Sequence, residues 1–204
     1  KSFRAGSIKL PIEKWQPWRK TTDTVFEGLD EVGNSVKLML SPQVVLDILN
    51  NFTLYSTERG GQKIKILCRY QQYEATKQIL ERVIQGRIKK GLIWHFQGSG
   101  KSLLMVYAAM LLRRAPELKS PTVIIVVDRI DLNSQIGGTF NAANVPNTVV
   151  ADSREELQKL LQQDTRKIII TTIHKFAEVD GVLNNRENII VLVDEAHRTQ
   201  EGDL

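Results

Sequence analysis

From about Arg69 onward the chain alternates two hydrophobic patterns. Short stretches that are almost wholly apolar, Leu92 to Trp94, Thr122 to Val127, Thr148 to Val150, Lys167 to Thr171 and Ile189 to Val193, are separated by longer ones whose apolar residues recur at helical spacing. Runs such as VIIVV, KIIIT and IIVLV are too short for helices and too apolar for a sheet with one wet face, so they predict parallel strands buried on both faces. Helices are expected from Arg69-Tyr70-Gln71-Gln72-Tyr73 through the stripe Ile79, Leu80, Val83, Ile84 and Ile88, then up to Arg113, from Arg129 and from Ser153. Ser153 with Glu156 three residues later makes a capping box, which fixes that helix start. Regular alternation of strand and helix predicts an α/β domain, three layers built on a mainly parallel sheet.

The first third has a different pattern. Lys1 to about Gly33 is mixed and predicts an irregular segment, in which Trp15 and Trp18 stand among Lys14, Arg19 and Lys20. Burial of the two tryptophans as anchors is favoured over stacking on nucleic-acid bases. Val36, Leu38 and Leu40 alternate as a strand would, and Ser41-Pro42 is a helix start with Ser41 as cap and Pro42 in the first turn. Val44, Val45, Ile48, Leu49 and Phe52 then fall on one helical face, Arg59-Gly60-Gly61 is a turn, and Lys63 to Leu67 is a short strand. The expected division is a small α+β region over 1–66 and the α/β domain over 67–204.

Composition narrows the setting only a little. With 204 residues, 42% hydrophobic and 25% charged, the chain is an ordinary soluble globular sequence with material for a core. One cysteine, Cys68, rules out a disulfide framework and a multi-cysteine metal site, and makes the cytoplasm the expected compartment. No apolar run approaches the roughly 20 residues that span a bilayer. A net charge of +5 suits a polyanionic partner without requiring one. Because the chain starts at Lys1, it is expected to be a piece of something longer.

The candidate chemistry centres on Gly91 to Leu104, GLIWHFQGSGKSLL. Gly98 and Gly100 allow the backbone to fold back with its N–H groups inward, and a helix opening at Lys101 adds its positive end, so the stretch reads as a phosphate-binding loop. Lys101 would reach the outer phosphates, and Ser102 is the expected Mg²⁺ ligand. The general pattern has a glycine six residues before the lysine, where this chain has His95. A chance Gly-Ser-Gly-Lys-Ser turn is the alternative, set aside by the flanking strand and helix signals.

A second group lies at Ile189 to His197, IIVLVDEAH, where two carboxylates follow an apolar strand. In an open parallel sheet that is the carboxyl edge, where ligands bind. Asp194 would hold Mg²⁺ through its water shell, and Glu195 would polarise the water attacking a γ-phosphate. The alternative is that the carboxylates only cap a helix. His197 by itself could equally cap or pack, and gains meaning as part of Asp-Glu-Ala-His.

Asp194-Glu195-Ala196-His197 after a strand, with Gly98-Ser99-Gly100-Lys101-Ser102 upstream, resembles the superfamily 2 helicase and translocase motors, whose lobes are RecA-like. Arg69-Tyr70-Gln71-Gln72-Tyr73, Trp94 to Ser102, Val127-Asp128-Arg129-Ile130-Asp131-Leu132, Thr171-Thr172-Ile173-His174-Lys175-Phe176 and Asp194 to Arg198 together are similar to the motor subunit of type I restriction enzymes. That family's own version of the loop also places a histidine where His95 stands. The likeness covers about Lys63 to Leu204, and the first third more loosely resembles the segment joining that family's nuclease domain to its motor.

The resemblance implies an ATP- and Mg²⁺-dependent lobe of a double-stranded DNA translocase that works with specificity and methylation subunits. It implies that Gln72 reads adenine with Arg69 in support, that Gly98, Ser99, Gly100, Lys101, Ser102 and His197 belong to the nucleotide set, and that Lys101, Asp194 and Glu195 are catalytic. Arg129, Gln135, Thr172 and Lys175 would touch the DNA backbone. No Asp with a downstream Glu-x-Lys strand is found, so the nuclease site is not expected in this stretch. Nor are the γ-phosphate-sensing strand and second lobe with its arginine finger, so ATP binding with little turnover is the expectation. The competing classes are an unrelated P-loop kinase or switch, and a nucleotide-gated assembly module.

Overall fold

A computed structural model describes residues 3–7, 10–20, 28–57, 63–95, 98–127, 138–141, 143, 145–177, 182 and 184–194. The chain forms two compact units, Lys1–Ala108 and Ala109–Leu204.

The first unit begins with a small hairpin. Strand β1 (Arg4–Ala5) pairs antiparallel with β2 (Gln16–Pro17). Its turn is closed by Trp15, whose indole Nε1 donates to the Leu10 carbonyl at 2.9 Å. Helices α1 (Gly28–Leu40) and α2 (Pro42–Asn51) follow, then the antiparallel pair β3 (Thr53–Thr57) and β4 (Lys63–Leu67), then α3 (Tyr70–Gln85).

Three expectations for this unit are corrected. Residues Val36, Leu38 and Leu40 lie in α1 rather than in a strand. The reason is visible over a longer window: Leu29, Val32, Val36 and Met39 recur at helical spacing, and Asp30 and Glu31 place negative charge in the first turn, where the helix dipole favours it. The irregular segment expected up to Gly33 gives way at Gly28, where that helix begins. Pro42 opens α2 as expected, but Ser41 makes no side-chain cap hydrogen bond.

Helix α4 (Lys101–Arg114) runs across the boundary between the units. In the second unit, β5 (Thr122–Val127), β6 (Thr148–Val150), β7 (Ile168–Thr172) and β8 (Ile189–Val193) form one four-stranded sheet. Its order is β6-β7-β5-β8 and every pairing is parallel. All residues of β5 and β7 are buried, as continuous apolar runs require when both faces of a strand are covered. Helices α5 (Arg154–Gln162) and α6 (Ile173–Ala177) cover one face: Leu157 and Leu161 pack with Ile124, Val126 and Ile169, and Ile173 and Phe176 join them. This is the expected α/β class.

Two strand expectations change here. Among the described residues strand β8 is at the sheet's edge, and Val191 and Val193 are over two-fifths exposed, so it is not buried on both faces. Leu92 to Trp94, expected as the strand before the loop, has no regular structure, and Trp94 is 89% exposed. A strand exists only where a neighbour takes its backbone groups, and among the described residues none pairs with this run.

Candidate phosphate-binding site

The loop before α4 is held from one side by the start of α3. Arg69 precedes α3 in extended backbone (φ −85°, ψ 157°), and its N–H donates to Gln72 Oε1 at 2.9 Å. That bond fixes the Gln72 side chain. Gln72 Nε2 then donates to the Gly100 carbonyl at 2.9 Å and, more weakly, to the Ser99 carbonyl at 3.5 Å. Arg69 Nη1 donates to the Gly98 carbonyl at 2.9 Å. Gln72 is 1% exposed and has its amide satisfied at both ends, as a buried amide must.

This clamp fixes which way the loop faces. A trans peptide holds its C=O and the following N–H on opposite sides of one plane, and no cis bond is present among the described residues. With the carbonyls of Gly98, Ser99 and Gly100 drawn to α3, the N–H groups of Ser99, Gly100 and Lys101 are turned away from it. They form a row of donors at the start of α4, whose first helical bond runs from Leu104 N–H to the Gly100 carbonyl. Such a row at a helix N-terminus is suited to anions.

The conformation needs glycine at two points. Gly98 has φ +80° and Gly100 φ +86°, both in the left-handed region. At Gly100 space is limiting too, since a Cβ there would lie 2.4 Å from Gln72 Nε2.

Lys101 opens α4, with Ser102 next, and both are half-buried. Ser99 is buried, and its hydroxyl has no hydrogen-bond partner. His95 is half-buried with its Nδ1 unpartnered. Burial, and then the Lys101 charge, hold this imidazole below its ordinary pKa of 6.5, so it is neutral at physiological pH. A neutral His95 adds no second cation beside Lys101.

In the second unit, Asp194 immediately follows β8, and its N–H donates to the Val126 carbonyl at 2.9 Å. Because the sheet is parallel, Val127, Thr172 and Asp194 all lie at its carboxyl edge, with Val127 opposite Thr172 and Val126 opposite Val193. Thr172 is buried. Lys175 Nζ donates to the Ala151 carbonyl at 3.0 Å. Glu195, His197, Arg129 and Gln135 lie outside the described residues.

The clamp is the feature that sequence reasoning missed. Resemblance implies that Gln72 reads adenine with Arg69 in support; what it does not indicate is that both side chains bond the loop backbone, from 29 and 28 residues away. No spacing rule connects residues that far apart. The one local signal was Gln at the third helical position, half of a capping box.

Residues 71–204 match the family model of the SWI2/SNF2 ATPase. The chain is 34% identical over 98% of its length to the type I restriction enzyme HindI endonuclease subunit of Haemophilus influenzae. It is 34% identical over 80% of its length to the putative type I restriction enzyme MjaVIIIP endonuclease subunit of Methanocaldococcus jannaschii. It spans 21% and 19% of those two relatives.

Proposed function

Because the chain belongs to the SWI2/SNF2 ATPase family, we propose that it is the ATP-binding motor lobe of a type I restriction enzyme subunit, coupling ATP hydrolysis to movement along double-stranded DNA. The observation that carries this reading is the loop clamp, which turns a row of N–H donors away from α3 at the start of α4. The type I restriction endonuclease subunits named among its relatives support the restriction setting. In this reading residues 67–204 are the motor lobe and 1–66 the region that joins it to the rest of the enzyme. The specificity and methylation subunits of such a complex are its partners, and its compartment is the cytoplasm. Among the described residues no helix is long and apolar enough to cross a membrane.

The residues divide the work by chemistry. The loop N–H groups and Lys101 bind the β- and γ-phosphates, and Lys101 follows the negative charge onto the leaving oxygen as the bond breaks. Ser102 and Asp194 are the oxygen donors suited to Mg²⁺, a hard cation that neutralises phosphate charge when bound. Glu195 orients the attacking water and accepts its proton, and His197 completes the nucleotide set. Arg129, Gln135, Thr172 and Lys175 are the residues proposed to meet DNA phosphates, which fix position without reading sequence.

Calorimetric titration of the chain with Mg·ATP tests the reading. Wild type should bind, and Lys101→Ala should bind roughly 10- to 150-fold more weakly, the effect of losing one or two charge-assisted hydrogen bonds. Equal affinity in the two would place the nucleotide elsewhere.

A further inference from the structure

The clamp on the phosphate loop is itself packed against the N-terminal hairpin. Trp18 directly follows β2 and is 2% exposed. Its ring meets Tyr70 edge-on, with centroids 5.5 Å apart and planes at 76°, and lies at 5.7 Å from Tyr73. Those tyrosines bracket the clamp: Tyr70 is next to Arg69, and Tyr73 is next to Gln72. The stack continues through Phe52, at 4.7 Å from Tyr73 and 5.4 Å from Tyr107, and Tyr107 is on the helix that Lys101 opens.

A second link is independent of the rings. The Leu67 N–H, at the end of β4, donates to Ser7 Oγ of the hairpin at 3.0 Å. The next residue, Cys68, donates its N–H to the Phe52 carbonyl at 3.3 Å. The junction that places Arg69 is therefore held by the hairpin and by the β3 side together.

We propose that the N-terminal hairpin, acting through Trp18, is a positioning element of the phosphate loop, so that whatever engages the hairpin changes nucleotide affinity. The proposal rests on the reading of the loop as a phosphate site. Its physical basis is the sensitivity of hydrogen bonds to geometry. Arg69 and Gln72 hold three loop carbonyls, and both sit on the turn of α3 that Trp18 covers. A shift of that turn moves the carbonyls and, with each rigid peptide plane, the N–H donors opposite. By linkage, a nucleotide in the loop must in return bias the hairpin by the same factor.

The reciprocal effect supplies a test that simple packing would not pass. The chain has three tryptophans, so Trp15→Phe with Trp94→Phe leaves Trp18 as the sole indole emitter. Mg·ATP should change its emission, and adding Lys101→Ala to this background should remove the change at the same nucleotide concentration. In the otherwise intact chain, Trp18→Ala should weaken Mg·ATP and Mg·tripolyphosphate alike, by roughly 2- to 30-fold, the range for residues that act on a site through others. Trp18→Phe should stay near wild type, since it keeps an aromatic ring against Tyr70. Nucleotide binding seen by calorimetry with Trp18 emission unmoved overturns the proposal, as does a folded Trp18→Ala chain that binds like wild type. A loss confined to ATP, with tripolyphosphate unaffected, also overturns it, because the effect would then lie at the base. If Trp18→Ala does not fold, the emission experiment and Trp18→Phe decide. Absence of Mg·ATP binding in the wild-type chain defeats the phosphate-site reading, and the proposal falls with it.

Discussion

At the scale of single residues, the two loop glycines are set apart by their neighbours. Both have positive φ, but a Cβ on Gly98 would meet nothing within 4 Å, whereas one on Gly100 would run into Gln72. Gly98→Ala should therefore carry only backbone strain, about 1 kcal/mol. Gly100→Ala adds the loss of the Gln72 bond and should cost about 2–3 kcal/mol and weaken Mg·ATP binding further. Thermal unfolding and titration of both variants check the order, and equal effects would mean that the clamp contributes nothing. Asp47 is the other residue with a measurable signature. It accepts from Tyr73 Oη at 3.0 Å, Lys77 Nζ at 2.9 Å and Asn51 Nδ2 at 2.8 Å, joining α2 to α3. Burial alone would raise its pKa, but the hydrogen bonds and the Lys77 charge outweigh it and hold the carboxyl below its ordinary 3.8. A depressed folded pKa means that the unfolded chain takes up the proton first. The stability Asp47 contributes is then complete above about pH 3.8 and is lost as the pH falls through the lower folded value. Asp47→Asn should cost about 1–2 kcal/mol at neutral pH and flatten this acid limb in denaturant titrations at stepped pH. An acid limb identical to wild type would exclude Asp47 as its source.

At the scale of elements, signals carried within one helical turn translate directly into structure. The start of α5 is such a case: Glu156 N–H donates to Ser153 Oγ at 3.1 Å, and the Asp152 N–H to Glu156 Oε2 at 2.9 Å. Ser153→Ala should lower stability by about 0.5–2 kcal/mol, read as a shift of the denaturant midpoint without a change of slope. No shift would mean that packing of Leu157 and Leu161 alone sets the helix start. Elements that depend on a distant partner are different. The apolar run at Leu92 to Trp94 has the composition of a strand, but pairing is supplied by other parts of a chain, and β8 likewise is wet on one side for want of a second neighbour among the described residues. The reverse holds at Val36 to Leu40, where alternation spans five residues and the helical repeat from Leu29 runs longer.

At the scale of the whole molecule, the proposed motor role has consequences for DNA. A lobe that follows the backbone should bind random duplexes of equal length with equal affinity. Log K should fall against log salt by about 0.9 for each phosphate contacted. Filter binding of two unrelated duplexes across a salt series checks this; strong preference for one, or a flat salt response, would count against backbone tracking. The net charge of +5 sets only the sign of the long-range field.

The amino-acid sequence by itself determined the strands β5, β7 and β8, the start of α5 and the two-glycine loop that leads into α4. Each is written in residues close together: unbroken apolar runs, a cap with its partner three residues on, and glycines before a lysine at a helix start. Only the tertiary structure decided the strand order β6-β7-β5-β8, the exposure of Val191 and Val193 on β8, and the grip of Arg69 and Gln72 on the loop. It also supplied the partners for the favoured burial of Trp18, which packs against Tyr70 and Tyr73. These are pairings across tens of residues, fixed by which surfaces meet when the chain closes its loops, and no local repeat encodes them.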